Sequence, residues 1–433
     1  MTPFFVAILL LGLSSMATAT NLFSQVFEWP DGLDYEWPSE ANRTQEDETL
    51  EPDDIVPLYM AAYGPKIFLS LKKYGNIPMS LVSLPTRSAS SAPPKLTPFP
   101  SWDMHENENW EKCNKIEEAK GLEVDSIGRL WVLDEASSKS NCRAKLWIFD
   151  LNSNKTELVH HFYFHDPIHD LVLDETPNGT FAYISRQSKQ HIVVFSLEQN
   201  ESWKVNTSGL AVSSIALSPK NQEPRTLYLS EYESSELYSI SVAALRNGTR
   251  TANPELIGNW TAKQSYRMLL DNHGTMYAAF QWENYTSSWN SSQPFQEQRF
   301  YEAADLLPFY WQFTFSLGQS GSLWMMVFDE YSNPRYALLK AEIGAKSYIF
   351  EDLPEESILW HLFGIILSGS IVFSVVIFWR NLRQKRINSL SRIITKELTK
   401  YRTTSPTMTF IPRPLSPDLN IRAAEKSKLG TDD

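Results

Sequence analysis

Cysteine is almost missing from this chain: Cys113 and Cys142 are the only two among 433 residues. A disulfide-stapled scaffold is thereby excluded. The core must come from packing, and aromatic residues, 13% of the sequence, supply the bulk for it. Glycine is sparse at 17 residues, and none falls in a phosphate-cradling loop. The G-x-S-x-G elbow and the H-E-x-x-H helix are absent as well. No enzyme class follows from motifs, and no cofactor is expected. Positive charge is the minority sign, 39 Lys and Arg against 51 Asp and Glu. Nucleic acid is therefore not an expected partner, because that binding rests on neutralising phosphates. Long apolar runs number two, one near each end.

The first run, Phe4 to Leu13, is followed by Ala17-Thr18-Ala19, an apolar core with an A-x-A cleavage site. Residues 1–19 are expected to be a secretory signal peptide. The second, Ile358 to Trp379, holds 22 residues without formal charge, His361 being neutral. About 20 helical residues cross a bilayer core. Arg380, Arg383, Lys385 and Arg386 follow at once, the pattern that stops transfer and stays cytosolic. The reading is a single-pass type I membrane protein, secreted if its ectodomain is shed. Nine N-x-S/T sequons agree with an ectodomain: Asn42, Asn154, Asn178, Asn200, Asn206, Asn247, Asn259, Asn284 and Asn290, with none beyond. Charge splits the same way, from −19 over residues 20–357 to +7 over 380–433. An acidic ectodomain attracts amines, metal ions or basic proteins, or is simply well solvated. In the tail, apolar residues from Leu382 to Tyr401 recur at near-helical spacing between basic ones, as in a helix on an anionic leaflet or a disordered stretch. The prolines from Pro406 on mark a disordered end.

Between the two runs, one unit repeats. A strand ends in Asp125, a turn at Gly128 follows, then strands over Leu130–Leu133 and Leu146–Phe149. Its second strand carries an aromatic residue, which recurs as Phe68, Trp131, Tyr183, Tyr228, Tyr277 and Trp324, at intervals of 63, 52, 45, 49 and 47 residues. Four-stranded propeller blades have a period of about 40–50 residues. Six markers predict an all-β, six-bladed propeller over residues 56–350, after an N-terminal extension over 20–55. A large β-sandwich is the competing architecture. Cys113 and Cys142 are expected to pair, closing a loop of about 30 residues.

Cys113-x-x-Ile116 followed by Val124-Asp-Ser-Ile-Gly-Arg-Leu-Trp-Val-Leu-Asp134 resembles the signature of the yellow / major royal jelly protein family. In order along the chain, Trp29, Leu33-Asp-Tyr35, Pro98-Phe-Pro-Ser-Trp102, Asp170-Leu-Val-Leu-Asp174, Ser202-Trp-Lys-Val205, Ile215-Ala-Leu-Ser-Pro219 and Trp289-Asn290 agree with it. The resemblance implies a six-bladed propeller secreted from arthropod cells. It also implies one of several roles: cuticle pigmentation, dopachrome conversion, royal jelly storage or salivary binding of biogenic amines. The chain departs from the family pattern at Ser126 and Ser288, where cysteines are usual, implying loss of one disulfide with 113–142 surviving. Arg186 replaces an acid, and Leu323-Trp-Met-Met-Val-Phe328 replaces a polar ending in the last blade. The expected function is a membrane-tethered binding or interaction module for a small ligand or a protein partner. The alternatives are a dopachrome-converting, tautomerase-like enzyme and a structural cuticle or eggshell component.

The ligand-channel candidates are Asp125, Asp134, Asp170, Asp174, Arg186, Asp271 and Phe328. Asp125, Asp174 and Asp271 end or follow innermost strands and are expected at one channel mouth together with Asp134 and Asp170, where carboxylates would focus a negative field. Arg186 and Phe328 oppose amine binding there. His160, His161, His165 and His169 crowd together with Asp166 and Asp170, a composition that suits polar strand edges better than a metal site. No metal is expected. Asp134 and Glu135, like Asp329 and Glu330, are neighbours that face opposite sides of a strand.

Overall fold

The computed structural model describes residues 22–37, 54–73, 77–105, 113–137, 140–164, 167–281, 283–302, 314–328 and 336–351, and the backbone of a helix over 355–402. The expected signal peptide, Asn42, His165, Asp166, Asp329, Glu330 and the tail beyond Arg402 lie outside the described residues.

Strand β1 (Phe23–Trp29) comes first. Blade 1 is β2 (Ile55–Tyr63), β3 (Lys66–Lys73), β4 (Leu81–Pro85) and β5 (Thr97–Pro98). Blade 2 is β6 (Glu118–Val124), β7 (Arg129–Glu135), β8 (Lys145–Asp150) and β9 (Lys155–His161). Blade 3 is β10 (Leu171–Thr176), β11 (Gly179–Ile184), β12 (His191–Ser196) and β13 (Glu201–Asn206). Blade 4 is β14 (Val212–Leu217), β15 (Thr226–Glu231), β16 (Glu236–Ser241) and, after the short helix α1 (Val242–Arg246), β17 (Glu255–Asn259). Blade 5 is β18 (Ser265–Leu270), β19 (Thr275–Phe280), β20 (Tyr285–Asn290) and β21 (Gln298–Glu302). Blade 6 is β22 (Thr314–Leu317), β23 (Ser322–Phe328) and β24 (Tyr336–Glu342), completed by β1 antiparallel to β24.

These six antiparallel sheets are the blades of a propeller, and the six aromatic markers fall on the second strand of each. Inner strands are buried on both faces, so β8 and β12 read as continuous apolar runs, Leu146-Trp-Ile-Phe149 and Ile192-Val-Val-Phe195. Outermost strands such as β9 and β13 are largely exposed and polar. The expected N-terminal extension needs correction: its residues 23–29 are part of the propeller, because β1 supplies the outer strand of blade 6. The short, half-polar sequence Phe-Ser-Gln-Val-Phe-Glu-Trp gave no sign of this.

Three markers are held by an acid at the end of the innermost strand. Trp131 donates its indole N–H to Asp125 (3.0 Å), and the hydroxyls of Tyr183 and Tyr277 donate to Asp174 (2.5 Å) and Asp271 (3.2 Å). After β24 the chain crosses the axis. The Tyr348 amide donates to Leu270 O of blade 5 (3.2 Å), while its hydroxyl accepts the Leu173 amide of blade 3 (2.8 Å). A side chain that joins innermost strands of two non-adjacent blades lies across the channel, and Tyr348 is fully buried there.

Cys113 and Cys142 form the expected disulfide, with Cα atoms 5.4 Å apart. Of the sequons inside the described residues, Asn154, Asn178, Asn200, Asn206, Asn247, Asn259 and Asn290 are exposed and Asn284 is partly so.

Residues 353–433 form a second compact unit. Its helix α2 runs from Glu355 to Arg402 and so contains Ile358–Trp379. Among the described residues, no helix is long and apolar enough to cross a membrane. The side chains of 352–371, most of the expected span, lie outside the described residues.

Candidate functional site

The open end of the channel is built by the starts of innermost strands. Pro57 lacks an amide hydrogen for the ladder, and the β2–β3 register shifts between Pro57 and Tyr59. The Tyr59 amide then finds the Ser70 hydroxyl, 3.1 Å away. A second shift, between Ser265 and Arg267, sits at Tyr266. His169 precedes β10 and is fixed through its own backbone: its amide donates to Ser185 O (3.0 Å), and its carbonyl accepts the Gly121 amide (3.1 Å). A Cβ at Gly121 would stand 3.0 Å from that carbonyl, so a side chain there would have to push it back, and the close approach favours glycine.

Blades 1, 3 and 5 thus each deliver one ring to the same place. Tyr59 and Tyr266 stack with centroids 5.8 Å apart, and His169 meets their edges at 5.6 and 5.4 Å. The Tyr59 hydroxyl and His169 Nδ1 share a short hydrogen bond. The rings flank a cavity of about 200 Å³ whose rim carries Lys72, Lys120, Glu135, Gln187 and Gln281. Lys120 and Glu135 are bridged at 3.2 Å.

Also buried here is an ion pair, Arg267 Nη1 with Asp170 Oδ1, its guanidinium 5.4 Å from the centre of the Tyr59 ring. Asp170 Oδ2 and Arg267 Nε have no partner among the described residues. Burial pushes the His169 imidazole down to about 3 and the Tyr59 phenol well above its usual value. Both are neutral at physiological pH, so the pair can exchange hydrogen-bonding roles without separating charge. Burial also raises the Asp170 carboxyl to about 6, against the pull of Arg267.

Glu123 keeps some contact with water but is enclosed by protein, and burial pushes its carboxyl up to about 7 despite the nearby Arg267. A carboxyl whose folded pKa is raised gives stability that is complete below the unfolded value, near 4.5, and lost as pH rises through about 7. Glu123→Gln should therefore gain stability relative to the native chain as pH rises from 5 to 7, measured by urea unfolding at each pH. A stability difference that does not change over that interval would refute this.

The sequence candidates divide between two ends of the channel. Asp134 lies opposite Ala119 at the start of β6, and Asp170 precedes β10. Asp125 and Asp271 sit in the turns after β6 and β18, and Asp174 pairs across from Phe181 towards the end of β10. The expectation of one shared mouth fails because alternation along a strand fixes a face, whereas position along it fixes the end. Asp125, Asp174 and Asp271 are spent on Trp131, Tyr183 and Tyr277, and Asp174 also accepts from Arg225 and Arg246. Asp134 turns outward to Lys145 and Trp147. Of the candidates, only Asp170 adjoins the cavity rings.

A family model described as Major royal jelly protein matches residues 119–213 and 206–307. Among curated proteins, Protein yellow of Drosophila madeirensis is 23% identical over 329 residues, 66% of this chain and 57% of its own length. Over these residues the chain is similar to the yellow / major royal jelly protein family. A Dopaminechrome tautomerase of Drosophila melanogaster is 26% identical over 215 residues, covering 44% of this chain and 46% of that protein. Major royal jelly protein 8 of Apis mellifera is 30% identical over 141 residues, 31% of this chain and 33% of its own. The chain thus spans about half the length of the curated relatives first matched.

Two departures from the family pattern noted in the sequence lie off the cavity. Arg186 stacks on Phe164 at 4.0 Å and donates to His191 Nε2 at 2.8 Å. Phe328 packs on Tyr336, with centroids 4.6 Å apart, beside the seam of blades 1 and 6. The described histidines also separate: His160 bonds Asn200 and Ser202, His161 faces a different hollow near Cys113, and His169 enters the channel. Sequence reasoning missed Tyr59, Tyr266, Glu123 and Arg267 as site residues. Pro57 inside an otherwise apolar strand was the one available signal, since proline there marks a bulge.

Proposed function

We propose that this yellow-like propeller holds a small, flat, oxygen-bearing aromatic molecule at the mouth formed by Tyr59, His169 and Tyr266. The observation that carries this reading is the convergence of those rings, from three non-adjacent blades, on one cavity with hydrogen-bonding groups around it. Lys72 and Lys120 outnumber Glu135 at the rim, which favours a neutral or anionic ligand over an amine. Weak binding of serotonin and dopamine is therefore still expected, for a reason other than Arg186 and Phe328. Calorimetry of the full-length chain should show saturable binding of dihydroxyindole carboxylate, weakened about tenfold by Tyr266→Ala, the loss of one aromatic contact of about 1.4 kcal/mol. Tight binding of the amines in its place would overturn the reading.

Proton transfer of the tautomerase kind is a second reading, favoured by the Tyr59–His169 pair and by the name of one relative. His169 would take a proton from the substrate and Tyr59 would return one. If the binding reading holds, dopachrome absorbance decays no faster with the native chain than with His169→Gln. A fall of about 10²–10⁴ in rate for His169→Gln and Tyr59→Phe would establish the enzyme.

The same proposal places the propeller outside the cell, tethered by Ile358–Trp379 with Arg380 and its basic neighbours in the cytosol. An epitope at the C-terminus should be reached by antibody only after the cells are permeabilised. Labelling of intact cells would refute the tether.

A further inference from the structure

Three turns in this propeller share one spacing: Asp125-x-x-Gly128-x-x-Trp131, Asp271-x-x-Gly274-x-x-Tyr277 and Gly318-x-x-Gly321-x-x-Trp324. Their backbones agree. The amide of the first residue donates to the carbonyl four positions on, at 3.0, 3.0 and 2.9 Å. In the first two turns the aspartate accepts the amide at that fourth position, from Arg129 or Thr275 (2.8 Å each), and the polar hydrogen of the aromatic residue. In the third, glycine offers no carboxylate. Trp324 is 6% exposed, and its indole N–H has no acceptor among the described residues.

That indole borders a groove of about 650 Å³ at the seam of blades 1 and 6. Arg87 and Lys340 line the same groove, no Asp or Glu among the described residues does, and Pro65 and Pro85 give it apolar wall. Arg87 has no ion-pair partner among the described residues, while Lys340 lies 5.2 Å from the Trp324 ring and also pairs with Glu342. We propose that this groove binds a small organic anion, a carboxylate or sulfonate on an apolar body, whose acid group takes the place of the missing aspartate beside Trp324. The unpartnered indole N–H, the two cations and the apolar wall each match one part of such a ligand. The groove is separate from the Tyr59–His169–Tyr266 mouth and does not depend on how that mouth is used.

The replacement also supplies the test. A Cβ at Gly318 would meet nothing nearer than Ser322 O at 3.6 Å and would stand 3.8 Å from the Trp324 indole nitrogen, so an aspartate fits there. Calorimetry of the full-length chain with 2-naphthalenesulfonate should show saturable binding, with 2-naphthol at least tenfold weaker. Gly318→Asp should melt no lower than the native chain yet bind the sulfonate at least tenfold more weakly, whereas Gly318→Ala should retain binding. Arg87→Ala with Lys340→Ala gives the same readout without touching the turn. Absence of binding by the native chain, or equal affinity in native, Gly318→Asp and Arg87→Ala/Lys340→Ala proteins, would overturn the proposal.

Discussion

Replacing Lys145 by methionine should cost this propeller about 3–5 kcal/mol of unfolding free energy, the usual effect of removing one member of a buried ion pair. Lys145 is completely buried. Its ammonium lies 3.0 Å from Glu117 Oε1 and 3.3 Å from Asp134 Oδ2, and donates to Lys115 O at 2.8 Å. Methionine keeps most of the volume, so the loss reports charge and not a cavity. Two carboxylates would remain without their cation. Burial already raises the Asp134 carboxyl and Lys145 opposes it, so the variant would take up a proton there on folding. Denaturant unfolding of both proteins measures the difference. A change below about 1 kcal/mol, the range of exposed pairs, would mean that the cluster does not anchor blade 2.

Changing both Cys113 and Cys142 to alanine should cost about 3–4 kcal/mol, the loop-entropy value for a crosslink closing this length of chain. The bond spans a sequence separation of 29 and ties the segment leading into β6 to the loop before β8. Lys145 also reaches back to Cys113 O, at 3.4 Å, so bond and ion cluster pin the same loop. The two losses should therefore fall short of additivity when combined, because the changes share partners. A double-cysteine variant as stable as the native chain would mean that packing alone sets this loop.

The blade count was legible because each second strand is buried on both faces and needs a large apolar or aromatic residue, from Phe68 to Trp324, at the same place in the repeat. The disulfide was legible because two cysteines leave one pairing. The candidate site was not. Tyr59 and Tyr266 sit at shifts in strand register, and nothing in an alternating pattern marks where a ladder will slip. The aspartates misled for a related reason: Asp125 and Asp271 occur in turns, where a carboxylate serves its own backbone before it serves a ligand. Asp170 differs because it precedes its strand and meets Arg267 from two blades away.

The pairing of β1 with β24 imposes an order in time. Phe23–Trp29 leaves the ribosome early, yet its partner Tyr336–Glu342 follows some 310 residues later. At about 5–20 residues per second, that delay is roughly 15–60 s. Five blades can be synthesised while the strand that completes the sixth waits unpaired, a bare edge open to other chains. Its sequence suits the wait: Ser24, Gln25 and Glu28 break its apolar character, and only Trp29 ends fully buried. The polarity that hid this strand in the sequence also protects the nascent chain from wrong partners until the ring can close.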